Sequence, residues 1–344
     1  TPRRAREPPR SGSGVSASDE ELFDTAGTYA VPQLLYVAAK LRIAERVRDG
    51  AVDVATLAAH AGVHEDSLGR ALGALASVGV FAFGRDGRVR LTSAARLLLP
   101  DHPRSRRAAV LFAGGEQHRA WGAIMWSMAT GRAAFEQAHG RTFYEHLAHD
   151  PDAMEAAEAA RARRGAARDR AILEALDLAW ARSVVDVGGG SGDLLSALLE
   201  RQPSLSGVLF DAPHVAERAR PRVEARGLAS RCTVAEGDAR EALPEGHDAY
   251  LLVEVIHCMK DDDARAVLER CRGKRVYVID RILPPRGRTS SHALADLHML
   301  VMFGGRERTR RELSALLSEA GLRLHRVVPT SAWVSILEAR PART

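Results

Sequence analysis

A glycine-rich turn near the middle of this 344-residue chain constrains its fold more than any other segment. The apolar run 183–187 is typical of a buried strand, and the sequence Gly-Gly-Gly-Ser-Gly follows at 188–192. Leucines then recur at helical spacing, at positions 194, 195, 198 and 199. A ligand can approach the backbone closely at such a turn, because glycine has no Cβ atom and the first N–H groups of a helix are free.

The spacing of the glycines disfavours two common nucleotide motifs. A dinucleotide-binding fingerprint has a glycine at its sixth position, but the sixth residue counted from Gly188 is Asp193. A phosphate-binding loop ends in Gly-Lys-Ser or Gly-Lys-Thr, and this turn contains no lysine. With Asp186 before the glycines, the segment instead resembles the turn of S-adenosylmethionine-dependent methyltransferases. A glycine turn from another kind of α/β protein remains the alternative on this motif alone.

Two further acids follow the next two apolar runs. Asp211 ends the run 207–211, and a carboxylate after the second strand can bind a ribose diol. Asp238 follows the run 232–236 and could accept a hydrogen bond from an adenine amino group. Either acid alone could cap a helix, but acids at three successive strand ends favour a nucleoside cofactor. We therefore predict S-adenosyl-L-methionine as the cofactor, bound by Asp186, Gly188, Gly190, Gly192, Asp211, Ala212, Asp238 and Ala239.

Strands and helices alternate through the C-terminal half of the chain. Apolar runs indicate further strands at 248–256, 275–280, 322–328 and 334–339, and a helix at 310–320. This alternation predicts an α/β fold with a Rossmann-like, mostly parallel sheet of seven strands, covered by helices on both faces. Ligands of such sheets bind at the carboxyl ends of the strands, where the acids lie.

The motifs of this half occur in the order known from one enzyme family. They are Phe210-Asp211, Gly237-Asp238, Val255-Ile256-His257, Ile279-Asp280 and Gly304-Gly305-Arg306-Glu307-Arg308-Thr309. The chain thus resembles the plant- and actinobacterial-type small-molecule O-methyltransferases. The resemblance implies that His257 removes a proton from a substrate hydroxyl, while Asp280 and Glu307 orient it. Histidine suits this role because its pKa lies near neutral pH.

The chain departs from the family pattern at residues that are expected to lie near the substrate. Cys258-Met259 stand where the family commonly has Asp-Trp, which removes a polar group and a large ring beside the predicted base. In the helical stretch 151–177, Arg161 occupies a position that is usually apolar in the family. It would suit an anionic substrate such as an aromatic carboxylic acid, although a solvated helix face is the alternative. The predicted substrate-binding residues are Trp126, Phe143, Arg161 and Met299.

The N-terminal third predicts a separate winged-helix unit. Apolar periodicity indicates helices at 34–47, 54–61 and 67–75, followed by a hairpin at 78–91 with an Asp-Gly turn. The third helix carries Arg70 but otherwise mostly alanine, glycine and leucine, so it lacks the side chains that read base edges. The resemblance implies that this module forms a homodimer instead of binding DNA.

Four regions follow from these patterns. We expect a flexible basic leader at 1–18, a winged-helix dimerisation domain at 19–105, connecting helices with a substrate cap at 106–170, and a catalytic domain that binds S-adenosylmethionine at 171–344.

Composition limits the partners. The net charge of +5 partly reflects arginines in the leader, without the aromatic interleaving of nucleic-acid-binding segments. No apolar run approaches the roughly 18 residues of a membrane span. Three cysteines suit a reducing cytoplasm, and no His/Cys pair has zinc-site spacing. We therefore predict a cytoplasmic enzyme with a small aromatic substrate and no metal, nucleic-acid or membrane partner.

The leading interpretation is an O-methyltransferase that methylates a hydroxyl of a small aromatic secondary metabolite, with or without a carboxylate. Two alternatives stay open. The same fold could methylate carbon or nitrogen, with His257 structural or binding a metal together with His292 or His298. The chain could also be a winged-helix regulator that binds DNA and senses the cofactor.

Overall fold

The computed structural model describes residues 28–285 and 292–342. They divide into two compact units, with the boundary between Val110 and Leu111. The predicted leader at 1–18 lies outside the described residues. Within the described ranges, no helix combines the length and the apolar character that a membrane crossing requires.

The first unit has the winged-helix elements that the sequence predicted. They are α1 (Ala30–Lys40), α2 (Ile43–Arg46), α3 (Val54–Ala61), α4 (Glu65–Ser77), the strands β1 (Phe81–Phe83) and β2 (Val89–Leu91), and a 3-10 turn (Ala95–Leu98). The predicted helix at 34–47 is interrupted, because Arg42 adopts the left-handed conformation with a φ of 56°. Strands β1 and β2 pair antiparallel, which confirms the hairpin.

Helices connect this unit to the sheet. They are α5 (Arg107–Phe112), a π-helical segment (Ala113–Gln117), α6 (His118–Gly122), α7 (Ile124–Thr130), α8 (Ala134–His139), α9 (Phe143–His149) and α10 (Pro151–Ala175). The long helix α10 begins where predicted, because the Asp150 carboxylate accepts a hydrogen bond from the Ala153 N–H at 2.9 Å and proline occupies the first helical position.

A seven-stranded sheet forms the centre of the described part of the second unit. Its strands are β3 (Ser183–Val187), β4 (Ser206–Asp211), β5 (Cys232–Glu236), β6 (Ala249–Val253), β7 (Arg275–Asp280), β10 (Leu322–Pro329) and β11 (Ser335–Pro341), while β8 (Ile282–Leu283) and β9 (Arg308–Thr309) form a separate short pair. The spatial order is β10-β11-β7-β6-β3-β4-β5. Only the pairs that include β11 are antiparallel, so the mostly parallel sheet is confirmed.

Strand β6 is shorter than the predicted run 248–256. It ends at Val253, because Glu254 adopts a left-handed conformation with a φ of 54° that a strand does not accommodate. His257 consequently lies in a 3-10 turn (Ile256–Cys258) beyond the strand.

Helices cover both faces of the sheet. They are α11 (Asp193–Arg201), α12 (Pro213–Ala225), α13 (Asp261–Arg270), α14 (Ala293–Phe303) and α15 (Arg310–Glu319). Neighbouring strand residues point to opposite faces, so Val184 packs in the cluster with α11 and α12, and Val185 in the cluster with α13 and α15. The chain leaves β3 on one side towards β4 and later returns to its other side as β6. A crevice at the carboxyl end of β3 follows from that reversal.

Candidate active site

The glycine turn after β3 leaves open space over one residue. Gly188, Gly190 and Gly192 have φ angles of 69°, 58° and 78°, which side-chain-bearing residues rarely adopt. A Cβ atom on Gly190 would meet no atom within 4 Å. Added Cβ atoms on Gly188 and Gly192 would instead lie 2.8 Å from Val255 and 2.6 Å from Leu209. Packing thus requires glycine at 188 and 192, whereas the space over Gly190 is open. We call this open space the cradle.

Asp211 joins this turn to the end of β4. Its carboxylate accepts hydrogen bonds from the N–H of Gly190 at 2.9 Å and of Ala212 at 2.7 Å. Burial raises the pKa of Asp211, while these N–H groups and the charge of Arg161 oppose that rise. Asp186 lies beneath the turn, 2% exposed, and burial raises its pKa to about 7.

Asp238 has a partner that the sequence did not predict. Its carboxylate is paired with Arg240, with Oδ2 lying 2.5 Å from Nη2 of that arginine. The hydrogen bond from Arg240 lowers the pKa of Asp238. Ala239, the other residue expected near adenine, is partly buried against the core beside α13. An adenine amino group would therefore compete with Arg240 for Asp238.

These residues fit S-adenosylmethionine. The cradle at Gly190 gives a ligand access to the backbone, and carboxylates stand at the ends of β4 and β5. Within the described ranges, no group of three or more His, Cys, Asp or Glu residues is arranged to hold a metal ion.

The predicted base and its two acids come together although they lie in three separate segments. Nδ1 of His257 is 3.2 Å from Oε1 of Glu307 and 3.5 Å from Oδ1 of Asp280. Asp280 is the last residue of β7, and Glu307 immediately precedes β9. All three side chains are buried. Since carboxylates only accept hydrogen bonds, the neutral imidazole holds its proton on Nδ1 and its lone pair on Nε2.

The charges around His257 make it a stronger base. Burial alone would lower the pKa of His257, but the Cys258 sulfur, Asp280 and the hydrogen bond to Glu307 raise it well above the ordinary value. Burial also raises the pKa of Asp280 to about 7, and both its carboxylate oxygens lack a hydrogen-bond partner among the described residues. Arg281 donates to Glu307 Oε1 at 2.9 Å.

The Gly-Gly-Arg-Glu-Arg-Thr segment at 304–309 also contacts the backbone of the predicted base. The Arg306 N–H donates to the His257 carbonyl at 2.9 Å, and the buried Arg308 donates to the carbonyls of Ile256 and Met259. A Cβ atom on Gly305 would collide with the His257 carbonyl oxygen. Glycine is therefore required at 305 by a close approach of two backbones, although its φ is not in the left-handed region.

Cys258 makes contacts where the family commonly has aspartate. The Tyr144 hydroxyl donates to its sulfur at 3.7 Å, and the thiol donates to the Glu254 carbonyl at 3.8 Å. Cys258 therefore forms hydrogen bonds both with α9 and with the residue that follows β6.

Glu254 is a site residue that the sequence analysis missed. Its carboxylate lies 3.2 Å from Arg164 and 2.6 Å from Arg168, both on α10, and it accepts the Trp333 indole N–H at 2.9 Å. Burial would raise the pKa of Glu254, but the two arginines lower it to about 2. The half-exposed Arg164 and the partly buried Arg168 therefore both bind the residue that follows strand β6.

The four predicted substrate residues have different surroundings. Phe143 is buried in an aromatic cluster, 5.4 Å from Phe135 between ring centroids, and the Arg161 guanidinium lies 6.0 Å from its centroid. Arg161 is itself exposed. Trp126 is partly buried beneath Arg132, and Met299 is buried on α14.

The chain matches two family descriptions. The O-methyltransferase domain covers residues 121–323, and the O-methyltransferase dimerisation domain covers residues 23–101. The first match includes every predicted catalytic, cofactor and substrate residue.

Characterised relatives align over nearly the whole chain. The phenazine O-methyltransferase PhzM of Lysobacter antibioticus is 37% identical over 91% of this chain and 93% of its own length. The mitomycin biosynthesis 6-O-methyltransferase of Streptomyces lavendulae is 35% identical over 95% of this chain and 96% of its own length. A crystal structure of an O-methyltransferase from neocarzinostatin biosynthesis, in complex with S-adenosyl-L-homocysteine and 1,4-dihydroxy-2-naphthoic acid, superposes with a TM-score of 0.82 at 33% identity, covering 94% of this chain and all of that chain. The chain therefore belongs to the S-adenosylmethionine-dependent O-methyltransferases.

Proposed function

We propose that this enzyme methylates a hydroxyl of a small aromatic acceptor and that His257 is the general base. The single observation that carries the role of His257 is its buried Nδ1, which faces the two carboxylates of Asp280 and Glu307. That arrangement leaves Nε2 with a lone pair and stabilises the imidazolium formed when the hydroxyl proton arrives.

S-adenosylmethionine supplies an already activated methyl group when it is bound. The chain has to hold the hydroxyl in line with that methyl group, exclude water and accept one proton at Nε2 of His257. Positioning provides most of the acceleration, and general-base assistance contributes about 10²- to 10⁴-fold. Burial of the His257 cluster supports this role, because charges interact more strongly away from water.

The cofactor residues divide by the part of S-adenosylmethionine that they would contact. Gly188, Gly190 and Gly192 would line the amino-acid end. Asp211 with Ala212 would bind the ribose, and Asp238 with Ala239 the adenine. The open cradle over Gly190 and the Asp211 hydrogen bond to its N–H support this assignment.

The relatives suggest a fused aromatic acceptor, since their names include phenazine and a naphthoic acid. Phe143, Met299 and Trp126 would provide apolar walls, with Arg161 available to a carboxylate. The Arg161 guanidinium lies 6.0 Å from the ring centroid of Phe143, which supports placing both residues beside the acceptor. The dimerisation domain supports a homodimer formed through residues 19–105, which light scattering would test.

The decisive experiment is methyl transfer to a panel of phenols and hydroxynaphthoic acids by wild type and His257→Ala. We expect turnover to fall by about 10²- to 10⁴-fold, with the Kd for S-adenosylhomocysteine unchanged by calorimetry. His325→Ala, which removes an exposed histidine on β10, is the matched control and should be fully active.

Full activity of His257→Ala would contradict the role of the base. Product NMR locates the methyl group, so methylation at nitrogen or carbon would instead support the alternative chemistry. Specific DNA binding by a chain that turns over none of the panel would support the regulator.

A further inference from the structure

A second histidine lies on a helix that packs against the turn carrying His257. This histidine is His298, and the helix is α14. The Trp121 indole N–H, on α6, donates to Nδ1 of His298 at 3.1 Å. The two rings are nearly parallel, with an interplanar angle of 18° and 6.1 Å between centroids. The orientation of His298 is therefore fixed by both a hydrogen bond and a ring contact.

This hydrogen bond determines the tautomer of His298. An indole N–H can only donate, so Nδ1 must be the acceptor and cannot carry a proton. Neutral His298 consequently carries its proton on Nε2. Burial, together with the charges of Arg164, His257 and Arg281, lowers the pKa of His298 to about 4, so the ring is neutral at pH 7. Nε2–H is then a fixed, uncharged donor.

The side-chain amide of Gln117 lies beside this donor with its nitrogen turned towards it. The amide nitrogen of Gln117 lies 3.5 Å from Nε2 of His298, so two donors face each other. Gln117 ends the π-helical segment before α6, a distortion that is frequent at functional sites. One oxygen atom placed beside both groups would satisfy them together.

The surrounding charges favour an electron-rich oxygen. Arg164 and Arg281, which act electrostatically on His298, are held in place by Glu254 and Glu307. These cations, although each is paired with a carboxylate, disfavour an imidazolium at position 298 and favour an oxygen acceptor at the neutral Nε2–H.

We propose that Nε2–H of His298, with the amide of Gln117, binds an acceptor oxygen of the aromatic substrate, a carboxylate or carbonyl on the molecule whose hydroxyl proton His257 removes. The inference rests on the proposed function, because it places a second substrate contact in the same pocket. His298 is then a specificity-determining residue, and Trp121 is a positioning residue that acts through it.

A matched pair of acceptors tests the proposal. 1-Hydroxy-2-naphthoic acid carries a carboxylate beside its hydroxyl, and 1-naphthol lacks it. For His298→Phe, which keeps a ring but removes the donor, we expect kcat/KM to fall about 10- to 100-fold for the acid, mainly through KM, and less than about threefold for 1-naphthol. His298→Gln returns an N–H near the position of Nε2 and should recover most of the loss.

Binding of each acceptor to the complex with S-adenosylhomocysteine, measured by calorimetry, separates this proposal from the general one. If wild type binds the acid but does not methylate it, the proposed function fails. The effect of His298→Phe on the Kd for the acid then still tests whether His298 binds the carboxylate. Equal losses for both acceptors would show a structural role and overturn the proposal. No loss for either acceptor, as expected if Gln117 turns its oxygen towards His298, would also overturn it.

The tautomer can be observed directly. In protein with ¹⁵N-labelled histidine, long-range ¹H–¹⁵N NMR spectra of wild type should show His298 protonated at Nε2 and bare at Nδ1 at pH 7. Trp121→Phe should remove this preference and weaken binding of the acid. A proton on Nδ1 in wild type would remove the basis of the inference.

Discussion

At the glycine turn, the Asp211 carboxylate accepts hydrogen bonds from backbone N–H groups. At His257, by contrast, the contacts join ionisable side chains from three distant segments of the chain. We call the first region, residues 186–239, the cofactor side, and His257, Asp280, Arg281 and Glu307 the base side. Backbone conformation limits substitution on the cofactor side. On the base side, buried charge limits substitution. Changes there should therefore alter the pH dependence of catalysis while cofactor affinity stays constant.

The largest effect expected on the cofactor side comes from Gly190→Val. A valine at a φ of 58° costs about 1–2 kcal/mol in backbone strain, and its side chain fills the cradle. We expect the Kd for S-adenosylhomocysteine, measured by calorimetry, to weaken about 100-fold or more. Gly227→Val, at a φ of 70° with equally open surroundings outside the site, controls for backbone strain. Equal weakening in both variants would contradict the cradle.

Gly305→Ala should damage the base side alone. The added methyl group would displace the His257 backbone, and displacements of about 1 Å can cost on the order of 10²-fold in rate. We expect kcat/KM to fall by about that factor, with the Kd for S-adenosylhomocysteine unchanged. Gly122→Ala, where the new methyl group meets no atom within 4 Å, should remain active. A fully active Gly305→Ala enzyme would show that the two backbones can separate harmlessly.

Asp280→Asn tests the electrostatic part of the base side. Asp280 helps to raise the pKa of His257, so removing its charge should lower that pKa. A base works only when unprotonated, and the rising limb of kcat/KM against pH should therefore move to lower pH, with a maximum about tenfold smaller. Glu338→Gln, at a buried carboxylate paired with Arg326 and Arg340, should leave the limb in place. A limb that stays fixed or moves to higher pH in Asp280→Asn would disprove the coupling.

The smallest effect belongs to Arg240→Ala. Its ion pair with Asp238 is partly exposed, and exposed pairs contribute about 0–1 kcal/mol. Freeing Asp238 should tighten the Kd for S-adenosylhomocysteine by less than about fivefold. Asp238→Ala should weaken it about tenfold, through loss of a charge-assisted hydrogen bond. If Arg240→Ala instead weakens binding strongly, the arginine itself contacts the cofactor.

The sequence predicted the sheet well because local patterns determine it. The apolar runs of the strands and the glycine turn after β3 are properties of consecutive residues. One predicted helix is interrupted at Arg42 and one predicted strand is cut short at Glu254, and both are residues other than glycine in left-handed conformations. The local sequence pattern does not predict such a conformation, because the packing around the residue has to stabilise it.

The sequence by itself determined the order of strands and helices and the glycine turn after β3, because each depends on short runs of neighbouring residues. Only the tertiary structure decided the partners of Glu254, the pairing of Asp238 with Arg240, and the tautomer of His298. These contacts join residues up to 177 positions apart, as in the bond from Trp121 to His298. Their energies depend on burial and on the distance between charges, which are properties of the folded chain.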